Sequence, residues 1–439
     1  MKRMIIAVAA AGLLGGCGIF GGDGKPKTPT VGKRIPVLSA ESSLEVDPAL
    51  AAAAVTLPPA VANAEWTQSG GNAAKSMGHL ALGTAIGRAW GVSIGAGGGR
   101  RGGLAASPVV AGGRIFTIDT QANVRAFSAA GGGTVWQTRI TGEGRNDRSL
   151  FGGGVSFANG RVYATTGTGQ AAALDAATGS VIWKVTPGGP LRGSPTIDDT
   201  NVYVISQDNQ LFALDPADGK VRWTESGTVE LAGVFGTAAP AASAGTVVAG
   251  FSSGELTAYR YENGRVVWQD ALARTSISTS VSALSDIDAD PVIDNGRVYA
   301  VGQGGRMVAL ELNTGQRIWE MNVAGISTPW VAGEWLFVVT DQAQLLAVAR
   351  STGRVKWMTQ LPRWRDPKDK EGPISWVGPI LAGGRLILAN SQGQLTNVSP
   401  YDGTVQSTVE TKMAVSLPPV VAGNTLYVLH DNGQLTAWR

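Results

Sequence analysis

The chain has 439 residues, enough to bury a large core as one big domain or as two or three ordinary ones. Charged residues make up only 16% of it and the formal net charge is +3, which gives no electrostatic basis for binding nucleic acid. Glycine (61) and tryptophan (13) are both frequent, a pairing that suits a repetitive all-β fold with many tight turns and large packing wedges.

Residues 1–16 read as a lipoprotein signal peptide. Lys2 and Arg3 form the positive end, Met4 to Leu14 the short apolar core, and Leu14-Gly15-Gly16-Cys17 resembles a bacterial lipobox. Small side chains before Cys17 admit a signal peptidase, and the thiol is the nucleophile that takes the lipid. Cys17 is the single cysteine, so its lipidation leaves no disulfide in the mature monomer. Removal of Lys2 and Arg3 lowers the formal charge to +1. Gly18 stands where lipoproteins kept in the inner membrane often carry Asp, so the expectation is outer-membrane sorting, lipid-anchored on the periplasmic face. No later segment offers the ~20 apolar residues of a spanning helix. Residues 17–64, with Pro-Lys-Thr-Pro at 26–29 and Leu-Pro-Pro at 57–59, have the composition of a flexible tether.

From residue 65 to 439 one repeat dominates. Trp90, Trp136, Trp183, Trp223, Trp268, Trp319 and Trp357 recur about every 44.5 residues. Ten residues before each Trp from 136 onward stands an alanine (Ala126, Ala173, Ala213, Ala258, Ala309, Ala347). Four residues before each stands a glycine (Gly132, Gly179, Gly219, Gly264, Gly315, Gly353). Each unit reads as four short strands. In the third, these are 194–197, 202–205, 210–214 and 220–223, separated by Asp/Asn/Gly turns. The glycine supplies φ > 0 in the last hairpin, the alanine leaves room for an indole, and the indole wedges one sheet against the next. The tryptophans are therefore read as structural docking residues.

First strands are expected near Pro108, Val155, Pro195, Pro240, Pro291, Pro329, Pro379 and Pro419, which makes eight blades. The seventh is degenerate, with Asn397 and Ser407 in the Ala and Trp positions. The eighth ends after its third strand, while Arg88 to Val92 around Trp90 is a fourth strand without a blade. The economical solution is an all-β, eight-bladed β-propeller closed by pairing that N-terminal strand with the C-terminal blade, which removes the exposed edges.

The register Ala-x-Asp-x-x-Thr-Gly-x-x-x-Trp, intact at Ala173–Trp183, resembles the Trp-docking repeat of quinoprotein (PQQ-dependent) dehydrogenases, over residues 88–439. Within that superfamily the chain is similar to the BamB family, lipoprotein propellers of the outer-membrane β-barrel assembly machinery. Leu284-Ser285-Asp286-Ile287-Asp288-Ala289-Asp290-Pro291 and Trp66-Thr67-Gln68-Ser69-Gly70-Gly71-Asn72 both resemble family segments.

The long connections, roughly 141–152, 226–237, 271–289 and 360–376, lie between blades and so emerge on one face, where function usually resides. The second carries Val229, Leu231, Val234 and Phe235. The resemblance implies binding to the POTRA domains of BamA through this loop and the Asp-x-Asp stretch, which nominates Val229, Leu231, Asp286 and Asp288. Ala232 departs from a basic residue of some members. The same residues also suit local packing or turn capping. Asp286, Asp288 and Asp290 could also form a calcium loop, but Pro291 and Arg297 occupy the Gly and Glu positions of an EF-hand. The mixed-charge run Arg363–Glu371 reads as a solvated insertion. Gly97-x-Gly99-x-x-Gly102 links strand to strand and so lacks the helix of a dinucleotide site. His79 and His430 are too few for a histidine metal centre.

Three functions compete. The first is a non-enzymatic scaffold within the Bam complex that aids folding and insertion of outer-membrane proteins, in contact with BamA and with nascent barrel strands. The second is a quinoprotein-like enzyme, which the resemblance would furnish with PQQ, Ca²⁺ and often a vicinal cysteine pair. That pair is impossible here, and no catalytic carboxylate set is apparent. The third is a generic envelope protein-binding propeller. The first is the expectation, without cofactor or metal.

Overall fold

Short runs of alternating β-branched and aromatic residues, cut by glycine turns, form eight antiparallel four-stranded sheets and one two-stranded hairpin among the described residues. The structure is a computed structural model and describes residues 44–50, 52–99, 102–141, 151–228, 238–272 and 285–439. No helix among them is long and apolar enough to cross a membrane. First strands are Val109–Ala111, Gly153–Ala158, Thr196–Ile197, Ala241–Ser243, Val292–Asp294, Trp330–Ala332, Trp376–Ala382 and Val420–Ala422, at the places the repeat predicts. They line the hub of an eight-bladed propeller, and the fourth strands form its rim. The small hairpin, Trp364–Asp366 with Glu371–Pro373, is the insertion between blades six and seven.

Blade eight is Val420–Ala422, Thr425–Leu429 and Gln434–Trp438, completed by Arg88–Ser93 from the other end of the chain. Trp90 pairs with Ala437, as Trp136 pairs with Ala126 and Trp183 with Ala173 inside single blades. The ring is closed in the way the orphan strand implied.

Register explains the alanine. In blade three, Tyr203, Ala213 and Trp223 lie side by side on consecutive strands, and the two rings meet over the methyl group at 5.8 Å between centroids. A larger side chain between them would separate the rings. Phe116–Trp136, Tyr163–Trp183, Tyr299–Trp319, Phe337–Trp357 and Tyr427–Trp90 repeat the pair.

Each indole docks on the next blade. Trp136 Nε1 donates to the Ala176 carbonyl at 3.0 Å, and its ring lies over Gly179, where a β-carbon would come within 2.6 Å of it. Gly179 is required twice, by its φ of 76° and by that approach. The same bond joins Trp183 to Pro216, Trp223 to Tyr261, Trp268 to Leu312, Trp319 to Arg350 and Trp357 to Pro400. Between blades seven and eight the device is absent on both sides. Ser407 replaces the indole, and Ile86 occupies the glycine position four residues before Trp90. There Asn397 Nδ2 bonds Ser407 Oγ at 2.9 Å, and all of Val405–Glu410 is exposed.

The chain ahead of Arg88 is part of the hub. The compact unit begins at Leu44, so the span expected as a tether is described from that residue onward, and there it lies against the blades. Val46 bridges Val355 on the rim of blade six, and Asp47 pairs with Arg354 at 2.9 Å. Residues 63–80 then make one circuit of the hub in blade order. Asn63 bonds Val421 of blade eight, Trp66 bonds Val110 of blade one, and Thr67 bonds Phe157 of blade two. Gln68 exchanges two bonds with Ile197 of blade three; Ala73 and Ala74 accept from Ala242 and Ile293 of blades four and five. Gly78 accepts from the Trp330 indole of blade six, and Leu80 bonds Leu381 of blade seven. Val61 pairs with Leu80, so the circlet closes on itself.

Candidate functional site

Ser285–Pro291 leads into the first strand of blade five. Its alternation separates two environments. Ile287 and Ala289 are buried, Ile287 against Gly250 and Gly302, whereas Asp288 and Asp290 line the propeller axis. Asp286 is 1% exposed and pairs at 2.8 Å with Arg192, itself 1% exposed and carried by the connection before blade three. The same guanidinium lies 3.4 Å from Asp288, whose other oxygen accepts from Gln303 Nε2. Burial, and then the charge of Asp286, push the Asp288 carboxyl up to about 7 despite Arg192.

Asp290 accepts from Ser69 Oγ at 2.5 Å and from the Ala239 N–H at 2.8 Å. Burial raises its pKa, and the nearby Lys75 opposes the shift. Burial also lowers Lys75 to about 8, with Asp290 opposing; Lys75 Nζ bonds Thr196 Oγ1 at 3.1 Å.

The nominated residues thus divide. Asp286 is an internal ion-pair partner with no surface to offer, and Asp288 retains a face toward the axis. Val229 and Leu231 lie outside the described residues, as does Cys17. The flanks of the 229–237 loop are fixed: Thr228 bonds Glu255 through N and Oγ1, and Ala239 bonds Asp290. Arg192 was missed. It lies on the connection before blade three, and no sequence spacing marks a pair 94 residues apart.

The axis beside this stretch holds a cavity of about 280 Å³. Its floor is the circlet, with Trp66, Ser69 and Lys75, and Trp66 stacks on Trp330 at 6.1 Å. Ile326, Ser416 and Pro418 are exposed at its mouth. His79 and His430 are both in structural bonds, to Pro58 and Gly384 and to Met413 and Thr436.

Comparison with known proteins agrees with this architecture. The family model for "Outer membrane protein assembly factor BamB" matches residues 120–359. The protein of that name from Yersinia pestis is 26% identical over 337 residues, covering 75% of this chain and 83% of its own. The crystal structure of BamB from Moraxella catarrhalis superposes with a TM-score of 0.65 at 19% identity, covering 81% of this chain and 98% of that one. A europium-containing methanol dehydrogenase gives 0.66 at 15% identity, covering 83% and 89%, a likeness of fold alone. A metal centre does not suit the carboxylates of this stretch. Asp286 is committed to Arg192 and Asp290 to Ser69 and Ala239, and no three metal-ligating side chains of His, Cys, Asp or Glu converge among the described residues. A family model that spans more than half of the sequence, on a closed propeller of eight blades, places this chain in the BamB family of outer-membrane protein assembly factors.

Proposed function

We propose that the chain is a non-enzymatic scaffold of the Bam complex, held at the periplasmic face of the outer membrane by a lipid on Cys17. It docks on the POTRA domains of BamA and aids folding and insertion of outer-membrane proteins. The match of the BamB model across residues 120–359 carries this reading, since it includes the 229–237 loop and the Asp286–Asp290 stretch nominated for the contact. The docking face is the one from which the interblade connections emerge. It includes Asp288 at the axial cavity, with residues 229–237 proposed to reach the partner from the same side. Affinity purification of the tagged, lipidated chain from detergent-solubilised envelopes tests the proposal. BamA is expected in the eluate, and Asp288→Arg is expected to reduce its yield while the variant keeps its thermal transition. A wild-type eluate without BamA would end the assembly reading.

A further inference from the structure

We propose that the outer edge of blade seven, Val405–Glu410, receives an extended polypeptide segment, rich in β-branched residues and flanked by a basic one, which adds to the sheet as a further strand. The segment's origin in an unfinished outer-membrane barrel rests on the assembly reading above; the edge and its chemistry do not.

The first observation is an edge left open. Val405–Glu410 is the last strand of its sheet, and all six of its side chains are exposed. In the other seven fourth strands the indole packs on a glycine of the following blade and covers one face, except that Trp90 does so across the closing seam. Ser407 is too short for this. Blade eight also draws its third and fourth strands from opposite ends of the chain, so no hairpin stands opposite Ser407. No bridge or backbone bond reaches the outer side of Val405–Glu410 from any described residue. An unpaired edge of this kind is a template for another strand. Val405 and Val409, 46% and 40% exposed, set β-branched side chains beside whatever pairs there.

The second observation is that blade six already takes an extended segment in this way. Val46 bridges Val355 in parallel, the Asp47 N–H donates to the Val355 carbonyl at 2.8 Å, and Lys356 Nζ donates to the Leu50 carbonyl at 2.6 Å. Val355 stands two residues before Trp357 and Val405 two before Ser407, so the repeat places the equivalent acceptor at Val405. The third observation is charge. Six of the other fourth strands carry Lys or Arg (Arg88, Arg139, Lys184, Arg222, Arg317, Lys356), and Asp270 of blade four is paired with Arg317. Charged side chains on an edge discourage a foreign strand, basic ones above all. Blade seven has no basic guard. From Tyr401 to Glu410 its charges are Asp402 and Glu410, with Lys412 past the strand, so a basic residue suits the arriving segment.

Titration of the full chain with a labelled peptide of alternating valine and threonine, with a lysine pair at each end, tests the edge by fluorescence anisotropy. Saturable one-to-one binding is expected, with slowed hydrogen exchange of the 405–410 amides. The same peptide N-methylated at alternate amides is expected to bind at least about tenfold more weakly, and one flanked by glutamate about threefold more weakly. Val405→Lys and Val409→Lys change exposed side chains, so the thermal transition is kept, and each is expected to weaken the peptide about tenfold. Val221→Lys, at the matching position of blade three and also 46% exposed, is expected to leave binding unchanged. Equal binding of either control peptide, or a loss with Val221→Lys as great as with Val405→Lys, would overturn the docking edge. A wild-type chain that sediments as a dimer, and as a monomer once Val409→Lys is introduced, would give the edge to a second copy and overturn it too. Absence of peptide binding with BamA still co-isolating would refute this inference alone, and the reverse result would refute the assembly role alone.

Discussion

Trp90 and Arg439 compete for one carbonyl, and Arg439 holds it. Ala129 stands where each of the six other docking indoles finds its acceptor, yet its oxygen receives Arg439 Nη2 at 2.7 Å, and Trp90 Nε1 is buried without a partner. The seam of the ring is therefore fastened by the last residue of the chain and by the reciprocal Gly87–Arg439 backbone bonds, with the indole serving as a wedge alone. Replacing each ring with phenylalanine exposes the difference. Trp183→Phe loses the bond to Pro216 as well as volume, so it is expected to destabilise by about 1 kcal/mol more than Trp90→Phe in equilibrium urea unfolding.

Gly179→Ala combines two penalties, a non-glycine residue at φ 76° and a β-carbon 2.6 Å from the Trp136 ring. The expected loss is about 2–5 kcal/mol, read from the same unfolding curves. Gly160→Ala is the control. Its φ of 73° carries the backbone cost but nothing lies within 4 Å of the added carbon, so it is expected to lose only about 1–2 kcal/mol.

Trp66→Ala removes the indole stacked on Trp330 at the centre of the circlet. A cost of about 3–5 kcal/mol is expected, a clear fall in melting temperature. A change under about 1 kcal/mol would show that the circlet rests on the hub without holding it.

Two buried groups give stability opposite slopes with pH. Asp288 is raised to about 7, so below that pH the folded chain keeps a proton that the unfolded chain has already lost. Stability from this group is complete below the ordinary carboxyl range and falls as pH rises through about 7. Lys75 is lowered to about 8, so above that pH the unfolded chain holds the extra proton, and stability from this group rises between about 8 and its ordinary value of 10.5. Melting temperature followed across this range should decline to a minimum near 7–8 and then recover where these groups dominate. Asp288→Asn should flatten the first limb and Lys75→Met the second.

The ring was legible because its information is periodic. Ala213 and Trp223 stand ten residues apart, and the same distance recurs in every intact blade, so strand count, register and even the partner of Trp90 follow from spacing. The circlet was not legible, because its bonds are mostly backbone bonds, each to a different blade, and 63–80 has neither alternation nor a helical period. Within it only Trp66–Asn72 stands out in the sequence, as a segment resembling one of the family, and that says nothing of a circuit. The Asp stretch was legible as a feature but not as a geometry. Spacing places Asp286, Asp288 and Asp290 on one side of the segment ahead of the strand, but Asp286 and Asp288 are held by Arg192 and Asp290 by Ser69, which only the closed ring brings near. The blank at Ser407 was visible, whereas its match with Ile86 emerges only once blades seven and eight are neighbours.

The inner circuit also decides how the molecule bears load. A pull on the chain ahead of Leu44 is met first at the rim, by Val46 and by the Asp47–Arg354 pair. Tension that breaks this grip must next part Leu50 from Lys356 and Pro58 from His79, then unpick the Val61–Leu80 clasp and detach Asn63 through Leu80 from one blade after another. Only then does it arrive at Arg88, where the two ends of the polypeptide share a sheet. The join most vulnerable to being prised open is thus the last to feel a tug from the amino-terminal side.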